Sequence, residues 1–137
     1  MNSKHMNDKS TTVKIVYIGM LVAISLIGSL IKIQGTIALD SMPGFFAALF
    51  LGPAYGGLVA SIGHILTALT SGFPLTIPIH IIITLQMGVF AYLFGIIYKK
   101  SNGIIACIVA IILNGLGSVL MLAPITKWLG FPLSGKA

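Results

Sequence analysis

Charged residues are scarce in this chain of 137 residues, where they make up only 7% of the sequence. Soluble domains carry about 25% charged residues, and a soluble fold of this size could not cover its surface with so few. Hydrophobic residues account for 57% of the chain, and the mean hydropathy is +1.08. The composition therefore indicates a single domain whose solvent is the lipid bilayer.

Arginine is absent, the only acidic residues are Asp8 and Asp40, and the only cysteine is Cys107. The eight basic residues are all lysines at the ends of apolar runs, which is typical of membrane topology rather than of nucleic-acid binding. A single cysteine in an apolar run makes no internal disulfide and no metal cluster. Since the sequence also has no P-loop and no serine–histidine–acid arrangement, it predicts neither an enzyme nor a bound cofactor.

Five hydrophobic segments follow a polar N-terminal region, residues 1–12, which we interpret as a vector-derived remnant (residues 1–6) and a cytoplasmic tail. Residues 41–98 contain no charged side chain, and Gly52-Pro53 and the turn-rich stretch 71–78 divide this run. We predict an all-α integral membrane protein with a transmembrane helical domain over residues 13–137. Its helices are expected at about 13–33, 42–51, 54–70, 78–98 and 104–122, and its outer loops at about 34–41, 71–77 and 123–137.

The lysines predict the orientation of the chain in the membrane. Lys9 and Lys14 precede the first segment, and Lys99 and Lys100 follow the fourth, so an even number of crossings separates the two groups. Both groups then lie on one side, which the positive-inside rule makes cytoplasmic, together with the N-terminus. Five crossings leave the C-terminus outside beside further lysines. A sixth crossing, missing from a truncated sequence, would explain this pattern better than a finished five-helix protein.

Polar residues within the hydrophobic segments predict a binding pocket. His64 shares one helical face with Ser61 and Thr67, and His80 shares another with Thr84. Polar side chains at membrane depth usually face a bundle interior or a cavity. With the predicted orientation they collect in the outer half of the bundle, near the outer loops. The polar candidates are Gln34, Asp40, His64, His80, Gln86, Asn114 and Trp128.

Five of these candidates also have a structural explanation. His64 could donate an interhelical hydrogen bond, His80 could be an interfacial residue at a helix start, and Asn114 could hold two helices together for ~1 kcal/mol. Trp128 could be an aromatic-belt anchor, and Asp40 an exposed loop acid. The two histidines lie sixteen residues apart on different segments with no cysteine nearby, so we predict no metal site.

Four stretches of the sequence resemble the substrate-binding S components of energy-coupling-factor (ECF) vitamin transporters. Leu39–Pro53 and Gly56–His64 have a Pro-Gly turn, a Leu-Gly-Pro turn and a glycine-rich third helix in the order found in that family. Gly72–His80 and Asn114-Gly115 look most like the α-ribazole branch, which salvages the nucleoside of the lower cobalamin ligand. The resemblance covers nearly all of residues 15–137.

The resemblance implies a six-helix protein of the bacterial cell membrane, of which this chain has five helices. It implies a substrate held between the outer loops and the outer helix ends, and transport powered by two separate ABC ATPase subunits. A small-xxx-small motif on the first helix docks on a coupling membrane subunit in this family. Gly19 and Ala23 occupy its place. Gly19 departs from the usual pair of alanines but is still small, and the absent sixth helix is a second departure.

The resulting hypothesis is a high-affinity binding subunit for a vitamin precursor, with α-ribazole as the substrate. A benzimidazole riboside needs a flat apolar slot and a few hydrogen-bonding groups. The expected roles are ring stacking by Phe73 or Trp128, ribose binding by Asp40 and Asn114, and other polar contacts by His64, His80 and Gln86. Three alternatives stay open: another substrate (cobalamin, pantothenate or a queuosine precursor), a membrane scaffold without a ligand, or a secondary carrier. The scarcity of intramembrane acids disfavours the carrier.

Overall fold

The computed structural model describes residues 11–33, 37–38, 41–73 and 76–130. Within these residues the chain forms five helices, which confirms the predicted all-α class. They are α1 (Thr11–Ser29), α2 (Met42–Phe50), α3 (Pro53–Thr70), α4 (Ile77–Lys100) and α5 (Gly103–Leu129). Between α1 and α2, the two-residue strands β1 (Lys32–Ile33) and β2 (Ile37–Ala38) pair in antiparallel register.

Proline residues mark the starts of three helices. Pro43, Pro53 and Pro78 each lie in the first two positions of α2, α3 and α4, where the N–H that proline lacks would have no helical partner. Gly52, between α2 and α3, has a φ of 120°, a conformation that costs glycine little and other residues much. This Gly-Pro turn places α2 and α3 side by side in opposite directions.

Two helix ends differ from the sequence prediction. Helix α1 ends at Ser29 rather than near residue 33, because the backbone of Lys32–Ile33 pairs with β2 instead of continuing the helix. Helix α5 continues past Pro124 to Leu129, although residues 123–137 were expected to form an outer loop. Membrane helices tolerate an internal proline, and α5 ends where Gly130 adopts a left-handed φ of 74°.

Helix α3 lies at the centre of the bundle and packs against α1, α2 and α4. Its contacts depend on glycine. The α2–α3 contact places Gly56 against Ala48 and Gly44 against Ala60, and the α3–α4 contact places Gly57 against the carbonyl of Gly88. A Cβ added to Gly57 would lie 2.9 Å from that carbonyl oxygen. Small residues therefore allow these three helices to approach closely, as is common in membrane bundles.

The outer surface of the bundle is apolar. Helices α1, α4 and α5 are each long and apolar enough to cross a membrane. Large hydrophobic side chains such as Ile24 on α1, Leu85 on α4 and Leu116 on α5 are exposed. Helix α5 has α4 as its main neighbour and is exposed along most of its length. An apolar outer surface over a small-residue interior is what a lipid-embedded bundle requires.

Candidate functional site

Next to their glycine contact, α3 and α4 are joined by a row of polar contacts, which we call the polar seam. One turn from the Gly57–Gly88 contact, the Ser61 hydroxyl donates a hydrogen bond to the Thr84 carbonyl at 3.3 Å. The Thr84 hydroxyl donates to the His80 carbonyl one turn back on its own helix, at 2.7 Å. Because α3 and α4 are antiparallel, these contacts align the next turn of α3 with the start of α4. That turn carries His64.

The imidazoles of His64 and His80 meet at this end of the seam. Nδ1 of His80 lies 3.5 Å from Nε2 of His64, and the ring centroids are 5.6 Å apart. Such a pair needs one ring nitrogen to donate and the other to accept. The side chain of His80 is buried, whereas that of His64 is partly exposed. The pair therefore combines a fixed ring with a ring that is accessible from outside the bundle.

Phe73 adds a second flat side chain to the histidine pair. Its ring meets that of His80 edge to face, with centroids 5.8 Å apart and an interplanar angle of 63°. The turn between α3 and α4 that carries Phe73 is conformationally costly, because Phe73 and Thr76 have φ values of 52° and 121° without being glycine. Such backbone angles persist only where the surrounding contacts fix them. We call His64, Phe73 and His80 the histidine–phenylalanine cluster.

Gln86 lies deeper along α4, away from the cluster. Its side chain is 6% exposed, and neither its amide nitrogen nor its amide oxygen has a hydrogen-bond partner among the residues that the structure describes. Unpaired buried polar groups are rare because each forfeits its hydrogen bonds to water. Of the candidates on α4, Gln86 is therefore the one that is buried and still has unused hydrogen-bonding capacity.

The remaining candidates lie elsewhere. Asn114 is exposed on a π-helical turn of α5, Leu113–Gly117, and Trp128 is 85% exposed near the end of the same helix. The structure thus brings three of the predicted site residues together and leaves these two outside the cluster. Gln34 and Asp40 lie outside the described residues, so their predicted roles stay predictions.

The direct contact between the two histidines was not predictable from the sequence, because sixteen residues separate them. The antiparallel register of α3 and α4 produces it, and the glycines at 57 and 88 were the available signal for that register. Ser61 and Thr84, which join the two helices, were not among the predicted site residues. In the part of the chain that the structure describes, no three His, Cys, Asp or Glu side chains are grouped as metal ligands would be.

The opposite end of the bundle carries lysines. The Lys14 ammonium lies 5.6 Å from the centre of the Tyr55 ring at the start of α3. A Cβ added to Gly52, next to that start, would lie 3.9 Å from the Lys99 ammonium. The ends of α1 and α4 that carry these lysines therefore lie at the same end of the bundle. The histidine–phenylalanine cluster lies at the other end, where α3 meets α4 across the turn.

The predicted docking residues lie on the outside of α1. Helix α1 buries Leu21, Ser25 and Ser29 against the bundle, whereas Gly19 and Ala23 are exposed. Apart from its chain neighbours and the backbone of its own helix, a Cβ added to Gly19 would meet no atom of the described residues within 4 Å. Gly19 and Ala23 are therefore exposed on the described bundle, in contrast to the small residues that join α2, α3 and α4.

The described residues form an apolar helical bundle with a polar cluster at one end and small residues exposed on its first helix, which is the architecture of a membrane protein. A family model described as "ECF transporter, substrate-specific component" matches residues 13–136. The chain belongs to this family, as its motifs predicted, and is a transporter subunit rather than an enzyme. The family implies a small-molecule substrate and a membrane and ATPase module. No curated protein and no solved structure matches the chain.

Proposed function

We propose that this substrate-specific component binds α-ribazole with high affinity and serves its import for cobalamin salvage. The observation that carries the proposal is the histidine–phenylalanine cluster. A benzimidazole ring is flat and mostly apolar, with ring nitrogens at its edge. Phe73 and His80 supply flat faces against which such a ring stacks, and the imidazoles supply both a hydrogen-bond donor and an acceptor.

The proposal also includes the other predicted site residues, which lie on different parts of the chain. Gln86 supplies an unused amide below the cluster. Asn114 and Trp128 lie on α5, and they contribute if the ligand bridges from the cluster to that helix. Gln34 and Asp40 belong to the segment of the sequence between α1 and α2. We assign Asp40 and Asn114 to the ribose hydroxyls, and Gln34 to the rim of the site.

The cluster end is proposed to face outward, with the N-terminus in the cytoplasm. The support is the position of Lys14 and Lys99 at one end of the bundle, because cytoplasmic loops carry an excess of lysine. In this orientation a substrate reaches His64 from outside the cell. Accessibility of single cysteines placed at residues 72 and 101 to a membrane-impermeant thiol reagent tests it, in a Cys107→Ser background. Labelling of residue 101 alone from outside would contradict the orientation.

Transport requires partners in this proposal. We infer that the exposed Gly19 and Ala23 dock α1 on a coupling membrane subunit and that two ABC ATPase subunits supply the energy. The support is their exposure and the free space at Gly19, since small residues at a helix surface let a second helix approach closely. Toppling of the binding subunit in the membrane would then carry the substrate across.

Equilibrium binding of the purified full-length protein to a panel of vitamin precursors tests the substrate proposal. The panel holds α-ribazole, cobalamin, pantothenate and a queuosine precursor. We expect saturable binding of α-ribazole that is at least tenfold tighter than binding of the others, a difference of about 1.4 kcal/mol. Tighter binding of another compound would contradict the substrate assignment. No saturable binding to any would favour a scaffold without a ligand.

A further inference from the structure

The buried carboxamide of Gln86 differs from the other buried polar side chains of the described bundle. The hydroxyls of Ser29, Thr67 and Thr126 each donate to a carbonyl three or four residues earlier in their own helices, at 2.6 to 2.9 Å. A hydroxyl is short enough to be satisfied in this way, and membrane helices accommodate it readily. The amide of Gln86 has no such bond to the residues that the structure describes, on either its nitrogen or its oxygen.

An amide in this state is costly inside a membrane protein, where water does not replace the missing bonds. Leu or Met at position 86 would fill a similar volume without the cost. Gln86 therefore lowers the stability of the unliganded bundle. A destabilising residue that makes no stabilising contact in exchange points to a function in binding.

A second amide lies at the same depth on the neighbouring helix. Helices α4 and α5 are antiparallel, and Phe94 on α4 shares a buried cluster with Ala106 on α5. Gln86 lies eight residues from Phe94, and Asn114 lies eight residues from Ala106 in the matching direction. Both are about two turns, or ~12 Å, from that contact. Asn114 belongs to the π-helical turn of α5, which contacts α4, and such turns are frequent at functional sites.

We propose that Gln86, in addition to Asp40 and Asn114, contacts the ribose hydroxyls and determines specificity for a vicinal pair of hydroxyls on the substrate. This inference rests on the proposed function. A carboxamide has an acceptor oxygen beside a donor nitrogen, and each hydroxyl both donates and accepts, so the two groups fit through two parallel hydrogen bonds. Gln86 lies six residues, about 9 Å, below His80 along α4. Six residues at about 100° each also turn Gln86 roughly 120° around the helix axis from His80. In this proposal the sugar attached to a ring at the histidine–phenylalanine cluster extends around α4 to Gln86, with the exposed Asn114 at the same level on α5.

The experiment compares two ligands and three proteins. A benzimidazole riboside and the corresponding free benzimidazole base are titrated into the wild type, Gln86→Met and Met87→Leu, each purified in detergent. The melting temperature of each unliganded protein is measured in parallel. Met87 is the matched control because it is a neighbouring buried side chain without hydrogen-bonding groups, and exchange of Met for Leu conserves volume.

We expect Gln86→Met to weaken riboside binding by roughly 10- to 100-fold, the effect of losing hydrogen bonds to a buried partner. Affinity for the free base should stay within about twofold, which also checks that the variant is folded. The unliganded variant should melt at the same temperature as the wild type or higher. Met87→Leu should change none of the affinities by more than about twofold.

Three results would overturn the inference. A lower melting temperature of unliganded Gln86→Met would mean that the amide has a structural partner. Equal weakening of riboside and base binding would mean that position 86 shapes the pocket without recognising the sugar. Wild-type protein that binds the base but prefers no riboside would remove the hydroxyl pair as the recognised group. If the wild type bound neither compound, the proposed function itself would fail, and the inference with it.

Discussion

Small residues occur on two kinds of surface in this protein. On α2, α3 and α4 they are in contact with another helix, as Gly56 is with Ala48 and Gly57 with the Gly88 carbonyl. On α1 the pair Gly19 and Ala23 faces outward, and nothing in the described bundle approaches the place where a Gly19 side chain would be. Small residues on α2, α3 and α4 thus pack against another helix of the chain, whereas Gly19 on α1 packs against no other helix of the described chain.

The difference matters because a glycine in the middle of a helix is costly. It lowers helix stability by about 1 kcal/mol relative to alanine. At Gly56 and Gly57 this cost is offset by close helix packing. At Gly19 no described contact offsets it, which fits the proposal that a second protein packs on α1. Substitution with alanine, and then with a larger residue, separates the two cases.

The largest effect is expected for Gly56→Ala. The new methyl group would overlap backbone and side-chain atoms of Ala48, and such overpacking typically costs about 1–3 kcal/mol and occasionally more. The matched control is Gly19→Ala, which meets open space and should keep or raise stability by up to about 1 kcal/mol. Thermal unfolding of both variants in the same detergent measures the difference. Equal melting temperatures would contradict the assignment of Gly56 to a close helix contact.

The next effect concerns assembly rather than folding. The double variant Gly19→Leu and Ala23→Leu should lose co-purification with the coupling subunit and ATPases, because two large side chains would hold a docking helix away. Ligand affinity and melting temperature should stay near those of the wild type, since neither residue packs inside the described bundle. Gly19→Ala should keep assembly, as a still small residue. Intact assembly of the double leucine variant would refute the docking role.

Much of the fold was predictable from hydrophobic segments and their breaks. The starts of α2, α3 and α4 follow from Pro43, Pro53 and Pro78, because proline has a strong positional preference at helix starts. The end of α5 was not predictable in the same way. Pro124 suggests a helix end on sequence grounds, but a proline in a membrane helix is tolerated where the surrounding structure satisfies the freed backbone. The local preference of proline therefore predicts where α2, α3 and α4 start, whereas tertiary packing determines where α5 ends.

The candidate site was predictable residue by residue but not as an arrangement. Polarity at membrane depth indicated His64, His80 and Gln86. Their hydrogen-bonding partners were not predictable from the sequence. The two imidazoles pair with each other, whereas the Gln86 amide has no partner among the described residues. Helix register fixes both outcomes, and register depends on the close contacts of glycines such as Gly57 and Gly88. Sequence periodicity gives the face of one helix and not its alignment with the next.

The dissociation constant of His80→Phe tests whether the substrate binds at the histidine–phenylalanine cluster. This change keeps an aromatic ring and removes the ring nitrogens. Tyr98→Phe, near the lysine-bearing end of the same helix, removes a polar atom far from the cluster and serves as the control. We expect α-ribazole to bind His80→Phe at least tenfold more weakly than the wild type, a loss of about 1.4 kcal/mol. Tyr98→Phe should bind as the wild type does. Equal affinity of His80→Phe and the wild type would mean that the substrate does not bind at this cluster.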